Sequence, residues 1–284
     1  MKVADAMTPR EDVVTVSLPG TREDVLTYLQ ERSFSSVPVV KPTEDGDGET
    51  FRGLVTREAL IEHPDEDQLA LLVEEVPTTT ADGTLTNLAA LMRESGQRRV
   101  PVVDGRLEGI VTVTDVVVAM ANGEVDGETP AGELARRHVN CVHVETPLPV
   151  AERELSYADE PYGVVLDGDG DPCGMLTEVD IIDVARVVEG ETSTGDAIAN
   201  EDDEWMWEGI KAVGSRYMPT RNVEIPAEPV REFMTEDLVT VSDRRTAREV
   251  AQLMVSHDIE QVPLMEGGEL TGIVTDMDLL EALV

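Results

Sequence analysis

The chain has 284 residues, room for about two domains of ordinary size. Hydrophobic residues make up 41% but aromatics only 3%, so the core must be built from Val, Leu, Ile, Ala and Met. Its 59 acidic residues against 22 basic ones give a net charge of -37, a field that repels nucleic-acid backbones and anionic membranes.

In chain order, the β-prone stretch Val14-Thr-Val-Ser17 comes first, then the apolar run Val37-Pro-Val-Val40, a polar tip Glu44-Asp-Gly-Asp-Gly-Glu49, and the heptapeptide Gly53-Leu-Val-Thr-Arg-Glu-Ala59. Apolar run, turn residues and apolar run form the pattern of a β-hairpin. A second copy follows. Thr78-Thr-Thr80 precedes a helix-period face of Leu85, Leu88, Ala89, Leu91 and Met92. Next come Val100-Pro-Val-Val103, the turn Asp104-Gly105, and Gly109-Ile-Val-Thr-Val-Thr-Asp115, which opens another helix from Asp115 to Met120.

The third copy is the weakest: its middle helix, around Val150 to Tyr157, reads as short, and Tyr162-Gly163 stands where the others have Val-Pro. Its heptapeptide is Gly174-Met-Leu-Thr-Glu-Val-Asp180. Residues 187–226 carry none of the repeat's motifs. They open with Gly, Ser, Thr and Asp, carry Glu204-Trp-Met-Trp207, and end in an extended, proline-punctuated stretch. Trp205 and Trp207 suit either a plug between the third and fourth copies or a docking element. The fourth copy has Val239-Thr-Val-Ser242, a helical face with Val250, Leu253 and Met254, Val262-Pro-Leu-Met265, the turn Gly267-Gly268, and Gly272-Ile-Val-Thr-Asp-Met-Asp278, followed by a helix to Leu283. Each unit therefore reads strand, helix, strand, strand, helix, an α/β repeat used four times.

The heptapeptide admits two readings that use the same atoms. Thr112 with Asp115, Thr177 with Asp180, and Thr275 with Asp278 have the spacing of a capping box, in which Thr caps a helix and the acid bonds back. The same strand-to-helix junction is an anion site, where free amides, the helix dipole and the Thr hydroxyl meet a phosphate and the acid meets ribose hydroxyls. The leading glycine lets ligand or backbone approach closely.

Val-Pro-Val-Val, the hairpin and Gly-Ile-Val-Thr-x-x-Asp, four times in one order, resemble the cystathionine β-synthase (CBS) domain. The resemblance implies copies at 1–64, 65–123, 124–190 and 227–284, with 191–226 a linker. Paired as two Bateman modules at about 1–123 and 124–284, the copies would face each other through their strands. It further implies a bound adenosyl ligand, AMP, ADP, ATP or S-adenosylmethionine, with Thr and Asp of the heptapeptide on phosphate and ribose and Thr78 and Thr240 near base or sugar. Arg98 and Arg99 stand where family members meet phosphates, although two arginines in an acidic chain also suit surface ion pairs. Ala59 removes the ribose acid from the first copy, and Asp159-Glu160 and Glu260-Gln261 put acids where the second copy has arginines. The fourth site then suits a nucleoside, a monophosphate or a cationic adenosyl compound better than a polyphosphate.

The lysine-poor acidity, with only Lys2, Lys41 and Lys211, resembles that of proteins from salt-loving archaea. At molar salt, exposed charges are screened within about 3 Å, so an anionic ligand still approaches. Met1 to Arg10 lack an apolar h-region, no apolar run reaches about 18 residues, and Cys141 and Cys173 lack CxxC spacing. These features point to a soluble cytoplasmic protein with two ordinary thiols. Single histidines (His63, His138, His143, His257) form no metal pattern, and no GxSxG, P-loop or GxGxxG is present. The expectation is a non-catalytic regulatory protein, acting on a protein partner and a candidate homodimer. Its alternatives are a ligand-blind scaffold and a regulatory subunit of a separate enzyme or transporter.

Overall fold

The computed structural model describes residues 1–31, 36–43, 48–56, 59–60, 63, 66–184, 186–189 and 221–284. Trp205 and Trp207, the hairpin tip at 44–47 and most of the linker lie outside the described residues.

The first copy holds β1 (Thr8–Pro9), β2 (Val16–Ser17), α1 (Arg22–Glu31) and the hairpin β3 (Ser36–Pro42) and β4 (Glu49–Thr56). The second holds α2 (Leu69–Leu72), α3 (Leu85–Ser95), β5 (Arg99–Asp104), β6 (Arg106–Thr112) and α4 (Val113–Ala121). In the third are α5 (Ala131–Leu134), β7 (Cys141–His143), α6 (Leu148–Ala158), β8 (Tyr162–Leu166), β9 (Pro172–Thr177) and α7 (Glu178–Val184). A ribbon of β10 (Arg186–Glu189) and β11 (Arg221–Glu224) precedes the fourth copy, with α8 (Ala247–His257), β12 (Gln261–Glu266), β13 (Glu269–Thr275), α9 (Asp276–Leu279) and a 3₁₀ turn at Leu280–Leu283. β2 pairs in parallel with β3, and β3 in antiparallel with β4; β7, β8 and β9 repeat that order. In the second and fourth copies the first strand shrinks to single parallel bridges, Thr79 with Val102 and Val241 with Leu264.

The third copy's middle helix is not short. It spans 11 residues, like α3 and α8. Pro147 precedes it and Pro149 sits in its first turn, where proline costs no hydrogen bond, so the helix starts earlier than its apolar period suggests.

Each copy lends its first residues to its neighbour. Val3 N donates to Gly83 O and Leu85 N to Met1 O, so the start of the first copy lies on the start of α3. In return Arg22 N donates to Asp67 O and Leu69 N to Gly20 O, bringing the start of the second copy to α1. Leu148 N to Glu228 O and Val230 N to Thr146 O repeat the arrangement on α6, and Ala131 N to Arg245 O and Ala247 N to Thr129 O on α8. Each lent segment buries at least one apolar side chain: Val3, Leu69 and Leu72, Ala131 and Leu134, and Val230.

The heptapeptide glycines make this exchange fit. A Cβ on Gly53 would lie 2.3 Å from Glu74 O, on Gly109 2.4 Å from Thr8 O, and on Gly174 2.8 Å from Thr235 O. In each case the oxygen belongs to the lent segment pairing with that hairpin. The close approach read from the sequence is therefore made by backbone at these three positions.

By contacts the chain divides into two compact units, residues 1–135 with 241–264 and 273–284, and residues 136–240 with 265–272. Within the first unit, α4 packs on α8 and α3 on the final 3₁₀ turn, forming one core from Leu85, Leu88, Met92, Val116, Met120, Val250, Met254 and Leu280. The first copy has its own core around Val25, Val39, Val55 and Leu72. In the second unit, Val142, Leu148, Leu155, Leu176 and Val230 form the core of the third copy. None of the described helices is long and apolar enough to cross a membrane.

Candidate anion site at the second copy

At the second copy, antiparallel pairing sets Arg99 directly opposite Thr112, and Val113 N donates to Arg98 O at 3.0 Å. The two arginines and the start of α4 are thus fixed together by backbone. Thr112 and Asp115 complete the capping box. Thr112 N and Oγ1 both donate to Asp115 Oδ2, at 2.7 and 2.8 Å, and Asp115 N donates back to Thr112 Oγ1 at 3.3 Å. Both bonds to the carboxylate fall on Oδ2, so Asp115 Oδ1 keeps its acceptor capacity. At the carboxylate, capping and binding therefore do not compete for the same oxygen; at Thr112 they do, because its one hydroxyl proton goes to Asp115 Oδ2.

The two arginines differ. Arg98 makes a bidentate pair with Asp276, Nη1 to Oδ1 at 3.0 Å and Nη2 to Oδ2 at 2.6 Å, and also meets Glu260 at 3.0 Å. Burial works against its charge, but Asp276 and Glu260 outweigh that, and its pKa rises. Arg99 is half-buried and its side chain makes no hydrogen bond or ion pair among the described residues. Burial first, then repulsion by Arg98, lowers its pKa, with Glu260 opposing from a distance. A partly desolvated cation without a partner, in so acidic a chain, is an incomplete ion pair.

Thr78 is exposed beside Thr79, whose amide donates to Pro101 O within β5. It therefore lies on the segment running parallel to the strand that Arg99 begins. Thr240 is exposed and immediately precedes Val241.

In the fourth copy Thr275, 6% exposed, donates through N and Oγ1 to Asp278 Oδ2 at 2.9 and 2.8 Å. Asp276 N donates to Glu260 O, so Glu260 occupies the place of Arg98. In the third copy Thr177 and Asp180 make the same box at 2.8 and 2.7 Å, and Glu178 N donates to Pro161 O. Beside that helix start is a cavity of about 400 Å³ lined by Glu152, Asp159, Glu160 and Glu178 together with Leu155, Ser156, Pro161 and Ile181. Four acids and no base line it, which is hostile to a phosphate. In the first copy, Ala59 is buried and Thr56 Oγ1 donates instead to Glu74 Oε2 at 3.1 Å, a residue of the segment lent by the second copy.

Sequence reasoning missed Asp276. It stands two residues before Asp278, inside the motif itself, but its partner Arg98 is 178 residues away.

The family model for the CBS domain matches residues 3–66, 70–122, 131–186 and 230–284. The uncharacterized protein MJ1404 of Methanocaldococcus jannaschii is 26% identical over 273 residues, 95% of this chain and 59% of that protein, so the chain spans about three fifths of that relative's length. Among solved structures, an uncharacterized conserved protein from Pyrococcus horikoshii is 27% identical with a TM-score of 0.70, each chain covered in full. Protein MJ1225 from Methanocaldococcus jannaschii, 19% identical with a TM-score of 0.66 over the whole of both chains, shares the fold.

Proposed function

The chain belongs to the CBS-domain family, and from that premise we propose that it is a non-catalytic regulatory protein that senses an adenine nucleotide or related adenosyl ligand. The second copy is its principal site. Arg99 and Arg98 meet phosphate oxygens, the start of α4 and the Thr112 hydroxyl, turned from Asp115 Oδ2, complete the cradle, Asp115 Oδ1 takes a ribose hydroxyl, and Thr78 lies toward base or sugar. Thr275 and Asp278 form a second site, which Glu260 restricts to ligands of low phosphate charge. Thr177 and Asp180 act mainly as a helix cap.

The observation that carries this reading is Arg99. A half-buried guanidinium without a partner among the described residues, directly opposite a Thr-Asp pair with a spare carboxylate oxygen, suits an anion that also carries hydroxyls. The exchange of first residues between first and second copies, and between third and fourth, supports pairing into two Bateman modules. Ligand binding would act by favouring one packing of those modules over another, which then alters affinity for a protein partner.

A ligand-blind scaffold is the second reading, favoured by the complete capping boxes in three copies. Native mass spectrometry of the purified protein separates the two. A co-purified adenosyl mass lost in Asp115→Ala supports sensing, whereas apo mass alone, together with no thermal shift on adding AMP, ADP, ATP or S-adenosylmethionine at high salt, supports the scaffold.

A further inference from the structure

The Arg98–Asp276 pair joins the second copy to the fourth. Asp276 is the first residue of α9 and its side chain is 5% exposed, whereas the Glu260 side chain is 58% exposed. The same backbone bond recurs in the second, third and fourth copies: the first residue of the helix donates to the carbonyl of the residue before the hairpin. Val113 and Arg98 hold these places in the second copy, Asp276 and Glu260 in the fourth. The fourth copy thus puts two acids where the second has a valine and an arginine, and both acids point at that arginine.

A buried carboxylate keeps its charge only while a cation and hydrogen bonds compensate it. Arg98 supplies the cation, and Met277 N donates to Asp276 Oδ1 at 2.7 Å. The charged groups acting on Asp276 are Arg98 and, in the turn before β12, Glu260; Arg99 at the start of β5 acts on Arg98 and Glu260, and Asp278 on its own helix bonds Thr275. Burial already holds the Asp276 carboxyl above the ordinary carboxylate range, with Arg98 pulling it down and Glu260 pushing it up. Once Arg98 leaves, burial and Glu260 both favour the neutral acid, and only the Met277 amide still favours the charged one.

We propose that Arg98 and Asp276 form a proton-coupled latch: an anion entering the second copy takes Arg98 from Asp276, and Asp276 then takes a proton from solvent. Occupancy of the second copy is thereby transmitted to the helix start of the fourth. The latch rests on the anion-site part of the proposed function but not on the adenosyl part.

Sulfate is a suitable probe because it keeps its charge across the working range. Its thermal shift is measured against chloride at equal ionic strength, at about pH 5.5 and about pH 8, for the wild-type chain and Asp276→Asn. In the wild type, apparent sulfate affinity rises on acidification, by up to about tenfold per pH unit for one linked proton. Asp276→Asn binds sulfate with little pH dependence. Equal pH dependence in the two proteins overturns the latch, as does no specific sulfate shift in either. Should Asp276→Asn fail to fold, a pH electrode in weakly buffered wild-type protein near pH 6 reads the linkage directly. Proton uptake on sulfate addition supports the latch, and no uptake overturns it. A pH-linked sulfate response with no competition by AMP or ATP leaves the latch standing and overturns the adenosyl reading.

Discussion

Gly109 lies under the carbonyl of Thr8, so close that a Cβ at Gly109 would sit 2.4 Å from that oxygen. The contact is the meeting point of the second hairpin with the segment lent by the first copy. Backbone cannot swing aside as a side-chain tip can, so Gly109→Ala must part the pairing. We expect a loss of about 1–3 kcal/mol, read by urea unfolding. Gly105→Ala is the comparison: its Cβ would meet nothing within 4 Å, and its cost comes from a φ of 69°, about 1 kcal/mol. Equal losses in the two variants would refute the steric account of the exchange.

The lent segment is also clamped by charge. Arg10 pairs with Glu49 through Nε and Nη2, and donates to Val13 O and to Thr15 Oγ1. The hydrogen bond from Arg10 holds the Glu49 carboxyl below its usual range, against burial, with Arg10 and Arg106 adding electrostatic attraction. A lowered folded value stabilises above the unfolded carboxylate pKa, about 4.3, and that contribution is lost as pH falls through the folded value. Glu49→Gln should therefore cost up to about 1 kcal/mol at neutral pH, discounted because both side chains are about one-third exposed, and nothing in strong acid. Thermal unfolding from pH 7 downward checks the sign, and a gap that widened on acidification would be wrong for this pair.

Leu88 is 1% exposed on α3, in the core shared by the second and fourth copies. Truncating it to Ala should cost about 2–5 kcal/mol. Because the core is joint, limited proteolysis should then cut near the final 3₁₀ turn, 280–283, as readily as within α3. Cleavage confined to the second copy would mean that the two copies unfold independently.

Much of this was legible in the sequence because it is local. Hairpins, helix faces and capping boxes follow from residues within a few positions of one another, and Leu85, Leu88, Ala89, Met92, Val250 and Met254 all fall in the core. Length of α6 was hidden by two prolines that favour a helix start but interrupt the apolar period. The exchange was not legible: Val3 and Val230 lie in short mixed stretches without a helix or strand period, and nothing local says they pack on another copy. Arg98 could be read as a phosphate contact or as an ion pair, and only the fold brings Asp276 to it across 178 residues.

Arg99 awaits an anion, and the decisive experiment is an isothermal titration of AMP and ATP at high salt into wild-type protein and Arg99→Ala. The wild type should bind and the variant at least tenfold more weakly, about 1.4 kcal/mol or more, with no loss of thermal stability in the ligand-free variant because no partner among the described residues is removed. No binding to the wild type, or equal binding to both proteins, would contradict it.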